Sequence, residues 1–293
     1  MFKKIPTLAS FSKIQRGNLS ILIRKDFKEI LQHGHEDLEK LIYSKQPNTL
    51  YFEGRRSHPS IFLKNGKRIV IKKYYHGGLL GSLWKDLYIF GSRAFEELIL
   101  TEKIRSCEIP THQPICAVHK SIFLFFYKAY LISLEIPNAK DLKNFLTKIG
   151  KNPSPQDLIL KRRVIRSIGN LIKKFHEEGF FHRDLQLKNI LVEGEKVFLI
   201  DFDRSYQKHE LSQNEKIKNI LRLKRSAEKL KLSGVPITKS DQFRFFLAYT
   251  EGNKNLQIAI KNSLRIYRFQ YLFHKLGWVI NEIIKKFSKW LHN

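Results

Sequence analysis

The segment at residues 181–203 constrains this chain more than any other. It contains His182-Arg183-Asp184, followed by Asn189 five positions after the aspartate and by Asp201 twelve positions later. Between Asn189 and Asp201, two short apolar runs flank the turn Glu193-Gly194-Glu195, a pattern that predicts a β-hairpin. We therefore expect Asn189 and Asp201 at neighbouring strand ends, where both side chains could reach one metal ion.

This spacing is typical of a kinase catalytic loop and its metal-binding aspartate. In that interpretation Asp184 orients or deprotonates an acceptor hydroxyl, while Asn189 and Asp201 hold Mg²⁺ against the phosphates of ATP. The alternative is a charged surface loop beside an ordinary hairpin. Each motif alone is weak evidence, but the two in order at this spacing favour a phosphoryl-transfer site.

Three further positions are candidates for holding the nucleotide. Lys72 ends the strand-like sequence IVIK and would grip phosphate, although an exposed strand lysine is the alternative. Its partner would be Glu97, or else Glu96, because the two differ by about 100° around a helix and only one can face a cleft. Both could instead lie on a solvated face. Gly54 could let backbone amides approach phosphate, although no complete glycine-rich motif surrounds it.

The order of predicted elements indicates an α+β fold. Strand patterns occupy 50–75 and 115–134, a helix is predicted over 91–106, and mostly helical patterns follow residue 140. This order matches a protein-kinase-like, two-lobed fold with a small β-rich N-terminal lobe and a larger helical C-terminal lobe. We place the N-terminal lobe at 1–127, the catalytic lobe at 128–252 and a tail at 253–293.

The chain carries 54 Lys and Arg against 27 Asp and Glu, a net charge of +27. Such an excess predicts an anionic partner, which could be a membrane face, a phosphorylated lipid or nucleic acid, although a lysine-rich surface also favours solubility. Nucleic acid is disfavoured because no nucleic-acid-binding motif is present. Cys107 and Cys116 lack metal-site spacing and indicate a reducing compartment, and no secretory signal is visible.

The tail at 253–293 combines basic and apolar residues at helical spacing. Apolar positions from Leu272 to Leu291 alternate with Lys275, Lys285, Lys286 and Lys289. A basic amphipathic helix of this kind suits an anionic membrane surface. The alternative is a helix that packs its apolar face on the catalytic lobe.

Several motifs together resemble the bacterial lipopolysaccharide core kinases. They are HRDLQLKNIL with LIDFD, NILRLKRSAEKL at 219–230, VIKKYYHGGLLGSLWKDLY at 70–88, SRAFEELIL at 92–100 and IPNAKDLKNFL at 136–146. The chain is more similar to the kinases of 3-deoxy-D-manno-octulosonic acid (Kdo) than to the heptose kinases, because the family's Asp-Leu-x-x-x-x-Asn and Asp-Phe-Asp patterns are both present.

The resemblance implies a kinase-like fold and transfer of the ATP γ-phosphate to a hydroxyl of Kdo on a lipid A precursor. It also implies peripheral association with the anionic cytoplasmic face of the bacterial inner membrane. It makes Asp184 the catalytic base, Asn189 and Asp201 the Mg²⁺ ligands, and Lys72 the phosphate-binding lysine. The family's glycine-rich loop carries a second glycine where this chain has Arg56, so the conformation of that loop stays open.

The acceptor side differs from that of Ser/Thr protein kinases. Gln186 stands where those kinases have lysine, Asp203 replaces the glycine of D-F-G, and no A-P-E follows. Arg222, Lys224 and Arg225 lie on a predicted helix at 214–232 and could bind acceptor carboxylate or phosphate. A solvated basic face is the alternative for that helix. A heptose, another small molecule or a protein remains an alternative acceptor.

Overall fold

A computed structural model of the chain describes residues 9–28, 50–52, 58–63, 66–75, 86–89, 91–123 and 125–267. Two sequence-based expectations lie outside these residues. One is the glycine loop at Gly54, and the other is the amphipathic segment from Leu272 to Leu291. Both remain predictions.

The described residues form two compact units. The first comprises those of Met1–Ala139 with Phe198–Gln207, and the second comprises Lys140–Val197 with those of Lys208–Asn293. Most strands belong to the first unit and most helices to the second, which confirms the predicted α+β class. The lobe boundaries drawn from the sequence stay a prediction, although the strand Phe126–Leu134 belongs to the first unit by its pairing.

The first unit is built on one antiparallel sheet of eight strands. Its order is β1-β2-β7-β8-β5-β4-β3, and β6 pairs with β8 at the side. The strands are β1 (Phe11–Arg16), β2 (Leu19–Arg24), β3 (Leu50–Phe52), β4 (His58–Phe62), β5 (Arg68–Lys73), β6 (Tyr88–Ile89), β7 (Pro114–Phe123) and β8 (Phe126–Leu134). Helix α1 (Arg93–Ser106) packs against β7 and β8, and a short 3₁₀ helix follows β2 at Lys25–Phe27.

The predicted hairpin between β4 and β5 is present. Phe62 pairs with Arg68, and Leu63 bonds with Lys67. Gly66 has φ +76°, a left-handed conformation that glycine adopts without steric cost. The Asn-Gly signal therefore identified this turn for the physical reason that favours glycine there.

Strand alternation in β5 directs Lys72 toward the helix side of the sheet. Ile69 and Ile71 are buried in one core cluster. Lys72 pairs with Leu131, which packs with Leu98 of α1 in a second cluster. Because successive side chains of a strand point to opposite faces, Lys72 shares the face that α1 covers.

The second unit is mainly helical. Its helices are α2 (Leu142–Ile149), α3 (Pro155–Glu177), α4 (Gln213–Leu232) and α5 (Lys239–Thr250), with further helical residues at 254–267. Helices α3 and α5 pack closely at Gly169, where an added Cβ would lie 2.6 Å from Cβ of Ala248 and 2.9 Å from the Phe245 carbonyl oxygen. Only glycine permits this approach without displacing backbone.

Short strands flank the segment that carries the catalytic-loop motif. They are β9 (Lys140–Asp141), β10 (Phe180–Phe181), β11 (Ile190–Glu193) and β12 (Lys196–Leu199), and β13 (Tyr206–Gln207) follows later in the chain. The order β12-β11-β9 contains the predicted hairpin, and a 3₁₀ turn at Leu187–Asn189 leads directly into β11. Among the described residues, none of the helices has the length and apolar content needed to cross a bilayer.

Candidate active site

The first unit brings Lys72, Glu97 and Asp201 together. Lys72 Nζ lies 2.7 Å from Glu97 Oε2 and 2.5 Å from Asp201 Oδ1. Glu97 lies on the buried face of α1, whereas neighbouring Glu96 is exposed. Of the two glutamates that the sequence left open, Glu97 is therefore the one beside the lysine.

Glu97 is a buried carboxylate with several donors. Its side chain is 1% exposed, and it accepts hydrogen bonds from Lys72, from the Tyr74 hydroxyl and from the backbone N–H of Phe202 at 3.1 Å. Burial raises the pKa of Glu97, although the charge of Lys72 acts in the opposite direction. These donors offset the cost of placing a carboxylate in the interior.

Two carboxylates determine the charge state of Lys72. Burial alone would lower the pKa of this lysine, but the negative charges of Asp201 and Glu97 outweigh burial and raise it. Lys72 therefore carries its positive charge at neutral pH. A fixed ammonium at this position is suited to binding phosphate oxygens.

The Asp201-Phe202-Asp203 segment is held residue by residue. Asp201 bonds to Lys72, and Phe202 bonds through its N–H to Glu97. Asp203 accepts two hydrogen bonds from Arg93, with Nε 2.9 Å from Oδ1. Because Arg93 and Glu97 are four residues apart, both project from one face of α1.

Sequence reasoning did not identify Arg93 or Tyr74 as part of this network. The signal was Asp203 itself, a carboxylate where kinases have glycine, which requires a cation when it is partly buried. Arg93 stands one turn before Glu97, and its guanidinium carbon lies 5.6 Å from the ring centre of Tyr74. The burial of Arg93 would lower its pKa, but the bonds to Asp203 raise it instead.

In the second unit, the catalytic-loop motif forms a tightly bonded turn. His182 is fully buried and accepts the backbone N–H of Asp184 at Nδ1, 3.1 Å away. Asn189 donates its amide Nδ2 to the Asp184 carbonyl at 2.8 Å. The spacing of Asp184 and Asn189 is therefore a structural requirement of the loop as well as a motif.

One face of α4 holds this loop. Asn219 bonds to both the N–H and the carbonyl of His182, and the Ser226 hydroxyl accepts the N–H of Leu187. Arg222 lies between them and bonds to the Asp184 side chain. Spacings of three and four residues place these three on one helix face. The sequence indicated Arg222 but gave no signal for Asn219 or Ser226.

The Asp184 carboxylate is partly exposed and has three neighbouring donors. Arg222 Nη1 lies 2.8 Å from Oδ1, Gln186 also donates to Oδ1, and Lys188 Nζ is 3.7 Å from Oδ2. A separation of 3.7 Å exceeds hydrogen-bond range. Oδ1 is therefore occupied, while Oδ2 has no hydrogen bond from the residues that the structure describes.

The three basic residues predicted on α4 have different surroundings. Lys224 bonds to Glu228 and Gln242 within its own unit. Arg225 is exposed, and Arg222 alone contacts Asp184. The structure thus brings only Arg222 of this group to Asp184, the predicted catalytic aspartate.

The predicted Mg²⁺ ligands have suitable donor chemistry. Because Asn189 uses its amide nitrogen for the Asp184 carbonyl, its Oδ1 is the atom left for a metal. Asp201 supplies a carboxylate, and oxygen ligands of both kinds suit Mg²⁺. No cluster of three or more His, Cys, Asp or Glu suited to a metal occurs in the described part of the chain.

The comparisons with known proteins agree on one family. A family model described as "Lipopolysaccharide kinase (Kdo/WaaP) family" matches residues 45–249. The chain is 35% identical over 173 residues to a 3-deoxy-D-manno-octulosonic acid kinase of Haemophilus influenzae strain PittEE, covering 56% of this chain and 67% of that one. It is 32% identical over 206 residues to the enzyme of the same name from Actinobacillus succinogenes, covering 67% and 77%.

Comparison with solved structures supports the fold. A structure titled "WaaP in complex with acyl carrier protein" aligns with a TM-score of 0.55 over 83% of this chain and 97% of that chain. The sequence identity is 15%, so this likeness shows the fold alone. It supports the kinase-like architecture predicted from the order of strands and helices.

Proposed function

The chain belongs to the lipopolysaccharide kinase (Kdo/WaaP) family, and from that premise we propose that it phosphorylates a Kdo sugar. The phosphoryl donor is ATP, and the acceptor is a hydroxyl of Kdo on a lipid A precursor in inner-core biosynthesis. Family membership confirms the resemblance seen in the sequence and makes the chain a phosphotransferase. The observation that carries the proposal is the contact of Lys72 with both Glu97 and Asp201, which holds a charged ammonium suited to binding phosphate.

Residues of the first unit bind the nucleotide in this proposal. Lys72 binds phosphate oxygens of ATP, and Glu97 keeps the ammonium in place. By the sequence motif, Asp201 and Asn189 would be the oxygen ligands for Mg²⁺. When bound, Mg²⁺ neutralises charge on the phosphates as the terminal group leaves.

Residues of the second unit act on the acceptor. The acceptor hydroxyl oxygen forms a bond to the γ-phosphorus, and the bond from that phosphorus to the ADP oxygen breaks. Asp184 takes the hydroxyl proton at Oδ2, the oxygen that lacks a hydrogen bond from the described residues. Arg222 and Gln186 hold Oδ1, which fixes the direction in which Oδ2 points.

The proposal includes peripheral binding to the anionic cytoplasmic face of the inner membrane. The net charge of +27 provides attraction to anionic lipid. The apolar and basic residues of 272–293 would provide contact with the interface. This assignment rests on the sequence, since those residues lie outside the described part of the chain.

The test uses γ-labelled ATP, Mg²⁺ and Kdo-bearing lipid A precursor with wild type and Asp184→Asn. We expect label in the lipid with wild type and a loss of at least about 100-fold in kcat with the variant, as for removal of a general base. Asp157→Asn on the exposed start of α3 is the matched control and should retain activity. If wild type binds ATP but labels only a heptosylated core, the acceptor assignment is wrong and the kinase assignment stands.

A further inference from the structure

Helix α4 makes two kinds of contact with the catalytic loop. Asn219 and Ser226 bond to backbone groups of the loop, and these contacts fix its path. Arg222 bonds to the Asp184 carboxylate instead, and its side chain is 45% exposed. The loop backbone is thus held without Arg222. The contact of Arg222 with the Asp184 carboxylate therefore serves a purpose other than fixing the path of the loop.

Arg222 has unused donor capacity. A guanidinium has five N–H donors in a planar fork, and Asp184 engages Arg222 through Nη1. Its contact with Asp184 is the one hydrogen bond that this guanidinium makes within the described residues. The remaining donors can hold a second carboxylate through two parallel bonds, which is the geometry that arginine favours. Lys224 on the same helix lacks this capacity because it is engaged by Glu228 and Gln242.

The charges around Asp184 also favour an acceptor that carries an anionic group. Two cations, Arg222 and Lys188, face the one carboxylate of Asp184, and Gln186 is neutral. The group therefore carries a surplus positive charge beside an oxygen that is free to accept a proton. A neutral acceptor leaves that surplus unpaired, while an acceptor with its own carboxylate balances it.

We propose that Arg222 bridges Asp184 and the carboxylate of the acceptor, and so selects sugar acids over neutral sugars. The inference rests on the proposed function, since Kdo is an octulosonic acid. Arg222 holds Oδ1 of Asp184 through Nη1 and binds the acceptor carboxylate through its other donors. In this arrangement the acceptor carboxylate and the Asp184 carboxylate bind the same guanidinium, and the acceptor hydroxyl is directed to Oδ2 of Asp184. Arg222 is a specificity-determining residue, and Asp184 remains the proton acceptor.

The test is a cycle that removes charge from each partner in turn. Wild type and Arg222→Gln are assayed with Kdo-bearing lipid A precursor and with its carboxyl methyl ester. Each single change should raise the acceptor KM by roughly 10- to 100-fold, the range for a hydrogen-bonded charge. Combining them should add less than about 3-fold, because both remove the same interaction.

Two further variants sharpen the cycle. Lys231→Gln removes an exposed charge nine residues from Arg222, about 2.5 helical turns away and so on the opposite side of α4, and should leave acceptor discrimination unchanged. Arg222→Lys keeps the charge and loses the fork, so it should recover part of the preference for the acid. Melting temperatures within a few degrees of wild type establish that each variant folds.

The outcomes separate this proposal from the proposed function. If wild type phosphorylates the acid and the ester equally well, or if the two losses multiply, Arg222 does not bind the acceptor carboxylate. An equal fall in kcat for both acceptors in Arg222→Gln, with KM unchanged, would make it a positioning residue for Asp184 and overturn the proposal. Absence of any transfer to the acid by wild type refutes the proposed function, and this inference falls with it.

Discussion

Replacement of Glu97 by alanine should destabilise the first unit far more than replacement of its neighbour Glu96. Glu97→Ala removes the acceptor for two buried donors, the Phe202 N–H and the Tyr74 hydroxyl, and removes one partner of Lys72. A buried donor left unpaired costs about 1–3 kcal/mol, and loss of one partner of a buried ion pair costs about 3–5 kcal/mol. Because Lys72 keeps its bond to Asp201, the full ion-pair cost does not apply, and the two donors dominate the loss; we expect a total of about 3–5 kcal/mol.

The matched variant is Glu96→Ala, one position away on the exposed side of α1. An exposed substitution of this kind should change the free energy of unfolding by no more than about 0.5 kcal/mol. At about 2–4 °C per kcal/mol, Glu97→Ala should lower the melting temperature by roughly 6–20 °C. Glu97→Gln keeps an oxygen acceptor and should fall between the two variants.

The assay is urea unfolding followed by circular dichroism, with calorimetry to check the melting temperatures. The m-value should stay constant, so that a shift of the midpoint reports stability alone. If Glu97→Ala unfolds within about 0.5 kcal/mol of Glu96→Ala, the buried network does not stabilise the unit and the argument from donor satisfaction is wrong.

Three further predictions concern other parts of the molecule. Burial lowers the pKa of His176 to about 4, so that between about pH 6.5 and 4 the unfolded chain binds a proton that the folded chain does not. Stability should therefore fall as pH drops through this window, and His176→Gln should reduce the slope in pH-dependent unfolding by up to about 1.4 kcal/mol per pH unit. Arg93→Met and Asp203→Asn should each speed hydrogen exchange at the Phe202 amide and raise the KM for ATP, while the double variant should add little to either; additive effects would show that the pair does not act as a unit. Deletion of 272–293 should weaken sedimentation with anionic liposomes but not with neutral ones, and unchanged binding by the folded truncation would contradict the membrane assignment.

Most of the structural features predicted from the sequence were predicted from the local spacing of residues. Lys72 was predicted from the IVIK sequence, and the β4–β5 turn was predicted from the Asn-Gly signal at Gly66. The helix carrying Glu97 was predicted within two residues of its bounds, Arg93–Ser106. Each of these features depends on residues close together in the chain, where periodicity and turn chemistry are informative.

Contacts between distant segments were not predictable in the same way. Asn219 meets His182 across 37 positions, and Arg93 meets Asp203 across 110. Such pairs depend on how elements pack, which one sequence without relatives does not encode in any local pattern. The Lys224–Glu228 pair is local and has the spacing of a helical ion pair, but the sequence analysis grouped Lys224 with Arg222 and Arg225 as acceptor-binding candidates. That pairing separates Lys224 from the acceptor-binding role considered for the whole basic group.

The Asp201-Phe202-Asp203 segment shows how side chains can replace the glycine of other kinases. Asp201 and Arg204 adopt left-handed conformations, with φ of +68° and +57°, and such conformations cost of order 1 kcal/mol or more for residues other than glycine. Bonds to Lys72, Glu97 and Arg93 hold Asp201, Phe202 and Asp203 in turn and offset this cost. A glycine at position 203 would remove the tie to Arg93 and add backbone freedom to the unfolded chain. The bond of Asp203 to Arg93 therefore ties this segment to the same helix that carries Glu97, the partner of Lys72, so the orientation of the proposed metal ligand Asp201 depends on that helix.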